Sequence, residues 1–408
     1  MTLSENTFFY ISDGEPYLFD SGRETALPSG VLTRYIEGVR ERAKRNEWKE
    51  SGSGAIFMGT ATSETPESAV SSINARTLCI GFDNDRLLYS LKIDNVCGIY
   101  SKRSFRDMDE GMVLSDRSQR YGEFDTNMCG DLCVAVSFAG ETHIGIRRQG
   151  RSDCVQITEG ESIERDPVWS KVDQNLIYYS TAGLEKREDD DDQDQNIQTG
   201  MFSIYDMIKE SAPRAHSPFS LCSIDISKGE ITEIRASDKH DFIKPRTAND
   251  GSLYYIKKPY ESETRKTSVG GCLLDILTAP IKLIGALIGF FNIFTIKYSG
   301  KNLRSSGDTK TKRRSDDQIF IDGNIISAER ELKANADHGE KFPGFIPRSF
   351  ELHKISRSGE DVIVKRGVIA YTLRGDNVIY SNGSSVVLLS ADGSEKLLSK
   401  AEKVTFLL

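Results

Sequence analysis

The side chains best suited to chemistry are five histidines (His143, His216, His240, His338 and His353), seven cysteines and a few clustered carboxylates. A zinc-protease helix needs two histidines four apart with a glutamate between them, and no pair here has that spacing. His143 lies in a strand-like stretch, Thr142-His-Ile-Gly-Ile-Arg-Arg, and reads as a core or surface histidine rather than a base. The Gly-x-Ser-x-Gly turn that exposes a serine nucleophile does not occur. Three residues separate Cys129 from Cys133, but a zinc site needs a second Cys or His pair, and none is close in sequence. They read as small apolar residues of a strand. Asp107-Met-Asp109-Glu110 gathers carboxylates in a turn with no partner set. Ser51-Gly-Ser-Gly lacks the Gly-Lys-Ser/Thr ending of a phosphate loop. Glu188-Asp-Asp-Asp-Asp-Gln-Asp194 lacks the alternation and the glycine of a calcium loop, and its like charges repel one another. These patterns predict no metal, no cofactor and no catalytic residues. A hydrolase or lyase whose residues converge from far apart in sequence stays as an alternative.

The elements that would position any functional residue are repeated, and repeats decide the fold. The segment 163–182, Ile-Glu-Arg-Asp-Pro-Val-Trp-Ser-Lys-Val-Asp-Gln-Asn-Leu-Ile-Tyr-Tyr-Ser-Thr-Ala, runs from an extended stretch through a polar turn into an aromatic strand. A looser copy fills 242–256, where Pro245 aligns with Pro167, Thr247 replaces Trp169, and a Tyr-Tyr pair again closes the unit. Weaker copies begin at Ile80, Phe124 and Tyr371. Each puts Asp, Asn or Gly in a tight turn between two strands, as hairpins require. Taking the first strand of each copy as the outer one that ends a unit, the units close near residues 83, 127, 170, 248, 373 and 408, at spacings of 44, 43, 78, 125 and 35. Two spacings match the roughly 40–45 residues of a four-stranded propeller blade, and the two long ones hold one blade each with insertions of about 35 and about 80 residues. The prediction is an all-β chain, a single six-bladed β-propeller over 1–408 with seven blades as the alternative, carrying helical insertions. A β-sandwich has no need of the near-constant period.

Asp166-Pro-Val-Trp-Ser followed by Asn175-Leu-Ile-Tyr-Tyr-Ser resembles the TolB-type β-propeller repeat. A TolB-like propeller without an export signal and with a hydrophobic helical insertion is similar to the propeller component of bacterial MoxR–von Willebrand A ternary systems. That resemblance implies a complex with a MoxR-type AAA+ ATPase and a von Willebrand A protein. It also implies that ATP turnover and metal binding belong to those partners, since this chain has neither an ATPase motif nor a metal-dependent adhesion site.

Specificity on a rigid scaffold sits in its loops. Three insertions are expected: 31–73, opening with a helix that puts Leu32, Tyr35, Ile36 and Val39 on one face; 184–218, an acidic loop in the fourth blade followed by a short helix from Met201; and 262–343 in the fifth blade. The last contains an apolar helix, 272–297, whose uncharged run Leu283–Ile296 is shorter than the ~20 residues a membrane span needs. Leu283, Ile284, Leu287, Ile288, Phe290, Phe291 and Phe294 cover its wide face, and a basic tail (Lys301, Arg304, Lys310, Lys312, Arg313, Arg314) follows. An exposed helix this apolar must be covered by its own propeller, by a partner protein or by a lipid surface. The net charge of −8 argues against nucleic acid. Without a basic-then-apolar leader at the N-terminus, and with an odd cysteine count, the chain reads as cytoplasmic, or peripheral to the inner membrane. The expected role is a non-catalytic scaffold for protein–protein interaction, with a membrane-anchored propeller as the alternative.

Overall fold

A computed structural model of the chain describes residues 7–50, 66–83, 85–116, 118–184, 216–261 and 318–408. The acidic run 188–194, the helix expected from Met201 and the apolar helix 272–297 with its seven candidate contact residues lie outside them. The chain divides into two units, one of Met1–Pro28, Ala75–Glu263 and Asp317–Leu408, the other of Ser29–Asn74 and Thr264–Asp316.

The first unit starts with β1 (Thr7–Ser12), β2 (Glu15–Asp20) and β3 (Arg23–Ala26). Their connections, Asp13-Gly14 and Ser21-Gly22, have positive φ at all four residues, the backbone that two-residue hairpins use and that glycine adopts freely. In the second unit, α1 (Gly30–Glu50) is capped by Ser29, whose Oγ accepts the Leu32 N–H at 3.1 Å, and α2 (Pro66–Ser71) packs on it. Leu32, Ile36 and Val39 are half-buried, whereas Tyr35 is exposed.

Back in the first unit, β4 (Ala75–Asp83), β5 (Arg86–Ile93), β6 (Val96–Lys102) and β7 (Gly111–Leu114) form a four-stranded antiparallel sheet. The next is longer. β8 (Arg120–Thr126), β9 (Leu132–Phe138), β10 (Glu141–Arg147) and β11 (Val155–Gln156) continue through a single parallel pair, Thr142↔Ile163, into β12 (Ser162–Trp169), β13 (Leu176–Gly183), β14 (Ser220–Asp225) and β15 (Glu230–Arg235). Buried Glu164 on β12 makes that junction by accepting the Ile144 N–H at 3.0 Å and the Thr158 hydroxyl. β16 (His240–Thr247) and β17 (Leu253–Pro259) are completed by β20 (Glu351–Ile355) and β21 (Asp361–Arg366). Between them the chain makes a separate hairpin, β18 (Gln318–Ile321) with β19 (Asn324–Ser327), and helix α3 (Ala328–Asp337). β22 (Ala370–Arg374), β23 (Asn377–Ser381), β24 (Val386–Leu389) and β25 (Glu395–Ser399) make another sheet. Finally β26 (Val404–Leu407) returns to pair with β1, Tyr10↔Leu407 and Ile11↔Phe406.

Among the described residues four sheets are therefore four-stranded and separate, rather than the six or seven expected, and the others are joined in one sheet of eight strands. They stand in a β-propeller arrangement: β4, β8, β12, β16, β22 and β26 together line one cavity, the axis. The sequence repeat does not mark the outer strands expected above. It marks the innermost ones, because it is at the axis that each sheet must meet its neighbour. Asp125 Oδ2 accepts the Trp169 N–H at 2.9 Å, the Thr126 hydroxyl donates to Phe82 O, and the Thr247 hydroxyl donates to Trp169 O at 2.8 Å. These bonds join residues 44, 44 and 78 apart, within one residue of the 44, 43 and 78 that separate the first units of the repeat. Apolar side chains fill the space between sheets, where Phe8 and Leu407 cluster with Ile379 and Leu388, and within the eight-stranded sheet, where Trp169 is buried among Cys133, Ile144, Ile177 and Tyr179. Cys133 is the small buried strand residue expected of it, but Cys129 is exposed, in the turn before β9.

Candidate functional site

The inner strands do not run straight past the axis. On β12 the register to β13 slips between Arg165 and Val168, so Asp166 and Pro167 oppose one residue, and on β16 Lys244 and Pro245 do the same. Such two-against-one bulges suit proline, which has no ladder N–H to offer. Asp166 and Lys244 sit at φ 55° and 54°, and the left-handed backbone turns both toward the axis, which they line. The alignment of Pro167 with Pro245 thus reports the bulge that aims two charges inward. β8 slips likewise between Tyr121 and Phe124, bringing Glu123 to the same place.

A layer of ion pairs crosses the axis. Lys244 Nζ donates to Asp322 Oδ2 at 2.8 Å, to Ile369 O at 2.9 Å and to Thr405 O at 3.2 Å, which uses all three of its hydrogens. Arg165 Nε donates to Asp166 Oδ2 at 3.0 Å, and its Nη2 lies 3.6 Å from Asp322 Oδ1. Asp322 comes from the separate hairpin, whose turn it forms with Gly323 at φ 45° and 84°. Ile321 and Ile326 bury the hairpin among Phe345, Ile346 and Phe350. Lys258 Nζ, deeply buried, bridges Asp241 Oδ2 (2.6 Å) and Asn324 Oδ1 (2.8 Å) to hold its base. Burial opposes the Asp322 charge, but Lys244 and Arg165 outweigh it and hold its carboxyl well below the usual range. Burial similarly opposes the Arg165 charge, and Asp166, Asp322 and Glu123 overcome it.

Glu123 goes the other way: burial, then the Asp166 charge, pushes its carboxyl up. Below about pH 4.3, the unfolded value, Glu123 is protonated in both states; as pH rises from there through the raised folded value, its reluctance to ionise erodes stability. Glu123→Gln is therefore expected to raise Tm by about 2–4 °C at pH 7.5 and to have no effect near pH 4, read by thermal denaturation at the two pH values. A gain that is the same at both would refute this account.

Cavities border the layer on both sides and share Glu123, Asp166, Lys244, Thr405 and Phe406. The one at the C-terminal ends of the inner strands has a volume of about 230 Å³ and walls that include Phe82, Phe124, Val168 and Phe406. Arg246 borders it, donating from Nη2 to Leu407 O at 2.8 Å with its guanidinium 5.3 Å from the Phe406 ring centre. The nucleophile types on its wall are disarmed: burial pushes the Cys79 thiol up to about 12, and the Thr126 hydroxyl is committed to Phe82 O. None of the five histidines borders either cavity. The arrangement can bind charge, but it does not pair a nucleophile with a base.

No family model matches the chain, and no curated protein matches it either. Solved structures do. TolB from Acinetobacter baumannii aligns at 8% identity and a TM-score of 0.46, covering 98% of this chain and 65% of that one. This chain thus spans less than two thirds of that structure's length. A nidogen/laminin complex structure aligns at 7% identity and a TM-score of 0.45, covering 98% and 97%. Prolyl oligopeptidase B from Galerina marginata aligns at 10% identity and a TM-score of 0.37, covering 84% of this chain and 38% of that chain.

The residues singled out in the sequence are scattered. His143 is buried beside Glu141, with 3.5 Å between Nε2 and Oε2, and His353 lies between Asp361 Oδ1 (2.9 Å) and Glu351 Oε2 (3.3 Å). Of the carboxylates at 107–110, Glu110 is buried against Lys102 Nζ at 3.0 Å, and the Asp107 side chain accepts the Asp109 N–H at 3.0 Å. Among the described residues no group of three or more His, Cys, Asp or Glu is placed to hold a metal ion, and no helix is long and apolar enough to cross a membrane. Arg165, Lys244, Arg246 and Asp322 were not anticipated. The signal for Asp322 was present: Ile-Phe-Ile-Asp-Gly-Asn-Ile-Ile has Asp-Gly between two apolar runs, which is hairpin chemistry.

Proposed function

We propose that this chain is a six-bladed, non-catalytic β-propeller that holds other proteins in a complex. The count of six takes the eight-stranded sheet as two blades, β8–β11 and β12–β15, which meet at one parallel pair. The observation that carries the reading is the state of the axis. Its charged side chains neutralise one another across blades and around the chain's own Asp322, and the cavity beyond them offers apolar walls and a guanidinium instead of an activated nucleophile. That is the chemistry of a socket. Recognition is assigned to the insertions at 31–73, 184–218 and 262–343, with Leu283, Ile284, Leu287, Ile288, Phe290, Phe291 and Phe294 as the main apolar contacts. The partners are a MoxR-type AAA+ ATPase and a von Willebrand A protein in the cytoplasm, on the resemblance of the repeat.

A second reading has one observation in its favour. Glu123, with its raised proton affinity beside the charged Asp166, is the kind of split carboxylate pair that acid–base catalysis uses. Against it, Asp166 is tied to Arg165 and Asp322 to Lys244.

Affinity purification without detergent from the native host, using the wild type, a deletion of 268–313 and Glu123→Gln, tests the scaffold. An AAA+ ATPase is expected with the wild type and with Glu123→Gln, and not with the deletion, whose circular dichroism should remain that of a folded β protein. Sedimentation of the wild type with membranes and no protein partner would replace the scaffold by a membrane-anchored propeller. Unfolding of the deletion would make 268–313 part of the core.

A further inference from the structure

We propose that the groove between the sheet of β16, β17, β20 and β21 and the sheet of β22–β25 receives an extended peptide segment of a partner protein, one in which an apolar side chain stands beside a lysine or arginine. The proposal rests on the reading of the propeller as a protein-binding scaffold and names the chemistry of one segment it would hold.

The groove follows from side chains too small to close it. Deeper between these two sheets, Ile256, Leu352, Tyr371, Tyr380 and Val387 are buried in one cluster. Toward the turns that follow β16, β22 and β24 the facing residues shrink to Ala248, Gly375, Ser390, Ala391 and Gly393. They leave a cavity of about 750 Å³, inside the roughly 300–1,000 Å³ of ligand pockets. Its apolar lining is Tyr254, Val364, Val378 and Leu389. Val364 is the extra residue of a bulge in β21, since Leu352 pairs with Lys365 and His353 with Ile363. A bulge re-aims a side chain out of the regular alternation, and this one lines the groove.

Charge selects the occupant. Three charged side chains line the groove: Asp250, Lys354 and Asp376. Lys354 pairs directly with Tyr254 across the ladder, its Nζ 5.4 Å from the ring centre and 3.7 Å from Asp250 Oδ2. Asp250 also accepts the Ser252 N–H at 2.8 Å and the Ser252 hydroxyl at 2.9 Å. The groove's one ammonium is thus shared with its own acid. Asp376 stands exposed in the turn between β22 and β23, and its carboxylate has no partner among the described residues. Two further charges lie close by without lining the groove. Asp392 turns its carboxylate to the Ser394 N–H, and Arg357 packs on the Gly251 turn, where its Nε would lie 2.6 Å from an added Cβ. The lining therefore carries one carboxylate in excess, which complements a cation and repels an acid. An apolar side chain would cover Val364, Val378 and Leu389. The neighbouring Lys or Arg would lay its aliphatic stem along the wall and bring its charge to Asp376.

A library of random linear peptides displayed on phage, selected on the full chain and on Ala391→Trp, tests the proposal. Ala391 is exposed on the wall, so tryptophan there should fill the groove and leave Tm unchanged. Peptides enriched on the wild type and not on Ala391→Trp are expected to join an aliphatic or aromatic residue to an adjacent Lys or Arg. The strongest of them, synthesised and followed by fluorescence anisotropy, should bind Ala391→Trp about tenfold or more weakly than wild type. Asp376→Lys should weaken it about fivefold or more, and carries the test alone if Ala391→Trp does not fold. Absence of enrichment, enriched peptides that lack a basic residue, or equal binding to wild type and Asp376→Lys would overturn the proposal. So would competition by lysinamide as strong as by the peptide, which would give the groove to a free amine. A change of oligomeric state in Ala391→Trp would give it to a second copy of the chain and would overturn the proposal too. None of these results bears on capture of the AAA+ ATPase, whose control deletion of 268–313 removes no residue of the groove, so failure here leaves the scaffold reading to its own test.

Discussion

Removal of residues 403–408 is expected to abolish cooperative unfolding, leaving a broad or absent transition in calorimetry and circular dichroism. Those residues hold β26, the inner strand of a sheet whose other three strands come from the opposite end of the sequence. Val404 and Leu407 are fully buried, in the cluster that also covers Phe8, Tyr10 and Ile346. Truncating either one to alanine should cost about 2–5 kcal/mol. The deletion also takes away Thr405 O and Leu407 O, acceptors for Lys244 and Arg246, at about 1.5–3 kcal/mol for each charged hydrogen bond. Together these match or exceed the 5–15 kcal/mol by which a domain is ordinarily stable. A sharp transition in the shortened chain would show that the ring stands without β26.

Asp322→Ala is expected to destabilise the first unit by about 3 kcal/mol at pH 7, the usual result of removing one partner from a largely buried pair. It leaves Lys244 and Arg165 facing each other with Asp166 alone between them. Because the folded-state affinity of Asp322 for its proton is depressed, its contribution is full above the unfolded value of about 3.9 and is lost as pH falls toward the lower folded one. Urea unfolding at pH 7 and near pH 3 should therefore show a large gap between wild type and variant at the first and a smaller one at the second. Adding Lys244→Met should restore part of the loss, because the stranded cation goes with it. An equal gap at both pH values, or no gap, would remove Asp322 from its place in the ion layer.

The repeat made the strand pairing readable because hairpin turns are local chemistry: Asn127, Asp173 and Asp250 each accept backbone N–H groups within their own turns. Period and turn residues therefore located β4–β5, β8–β9, β12–β13, β16–β17 and β22–β23. Which edge of each sheet faces the axis was not readable, because a hairpin turn joins two neighbouring strands in the same way at either edge of a sheet. Nor was the junction of β10 with β12, which depends on the buried carboxylate of Glu164 meeting a backbone N–H on another strand. The candidate site was legible only as Pro167 and Pro245. Neither proline reveals that the residue before it points at the axis, or that the counter-charge arrives from a hairpin 78 residues beyond Lys244.

The interrupted sheet of β16, β17, β20 and β21 bears on how the molecule is made. About 90 residues separate Pro259 from Glu351, yet β17 and β20 are direct neighbours. Closing a loop of that length rather than a short turn costs about 2–3 kcal/mol of chain entropy before the ladder repays it. Two hairpins, β16–β17 and β20–β21, can form early, but their docking waits on the chain between. Until then the edge of β17 carries Tyr254, Tyr255 and Ile256 with no strand beside it, an invitation to pair with another molecule. The vulnerability of this sheet thus lies in nascent and refolding chains, and depends on their concentration more than on the stability of the finished fold.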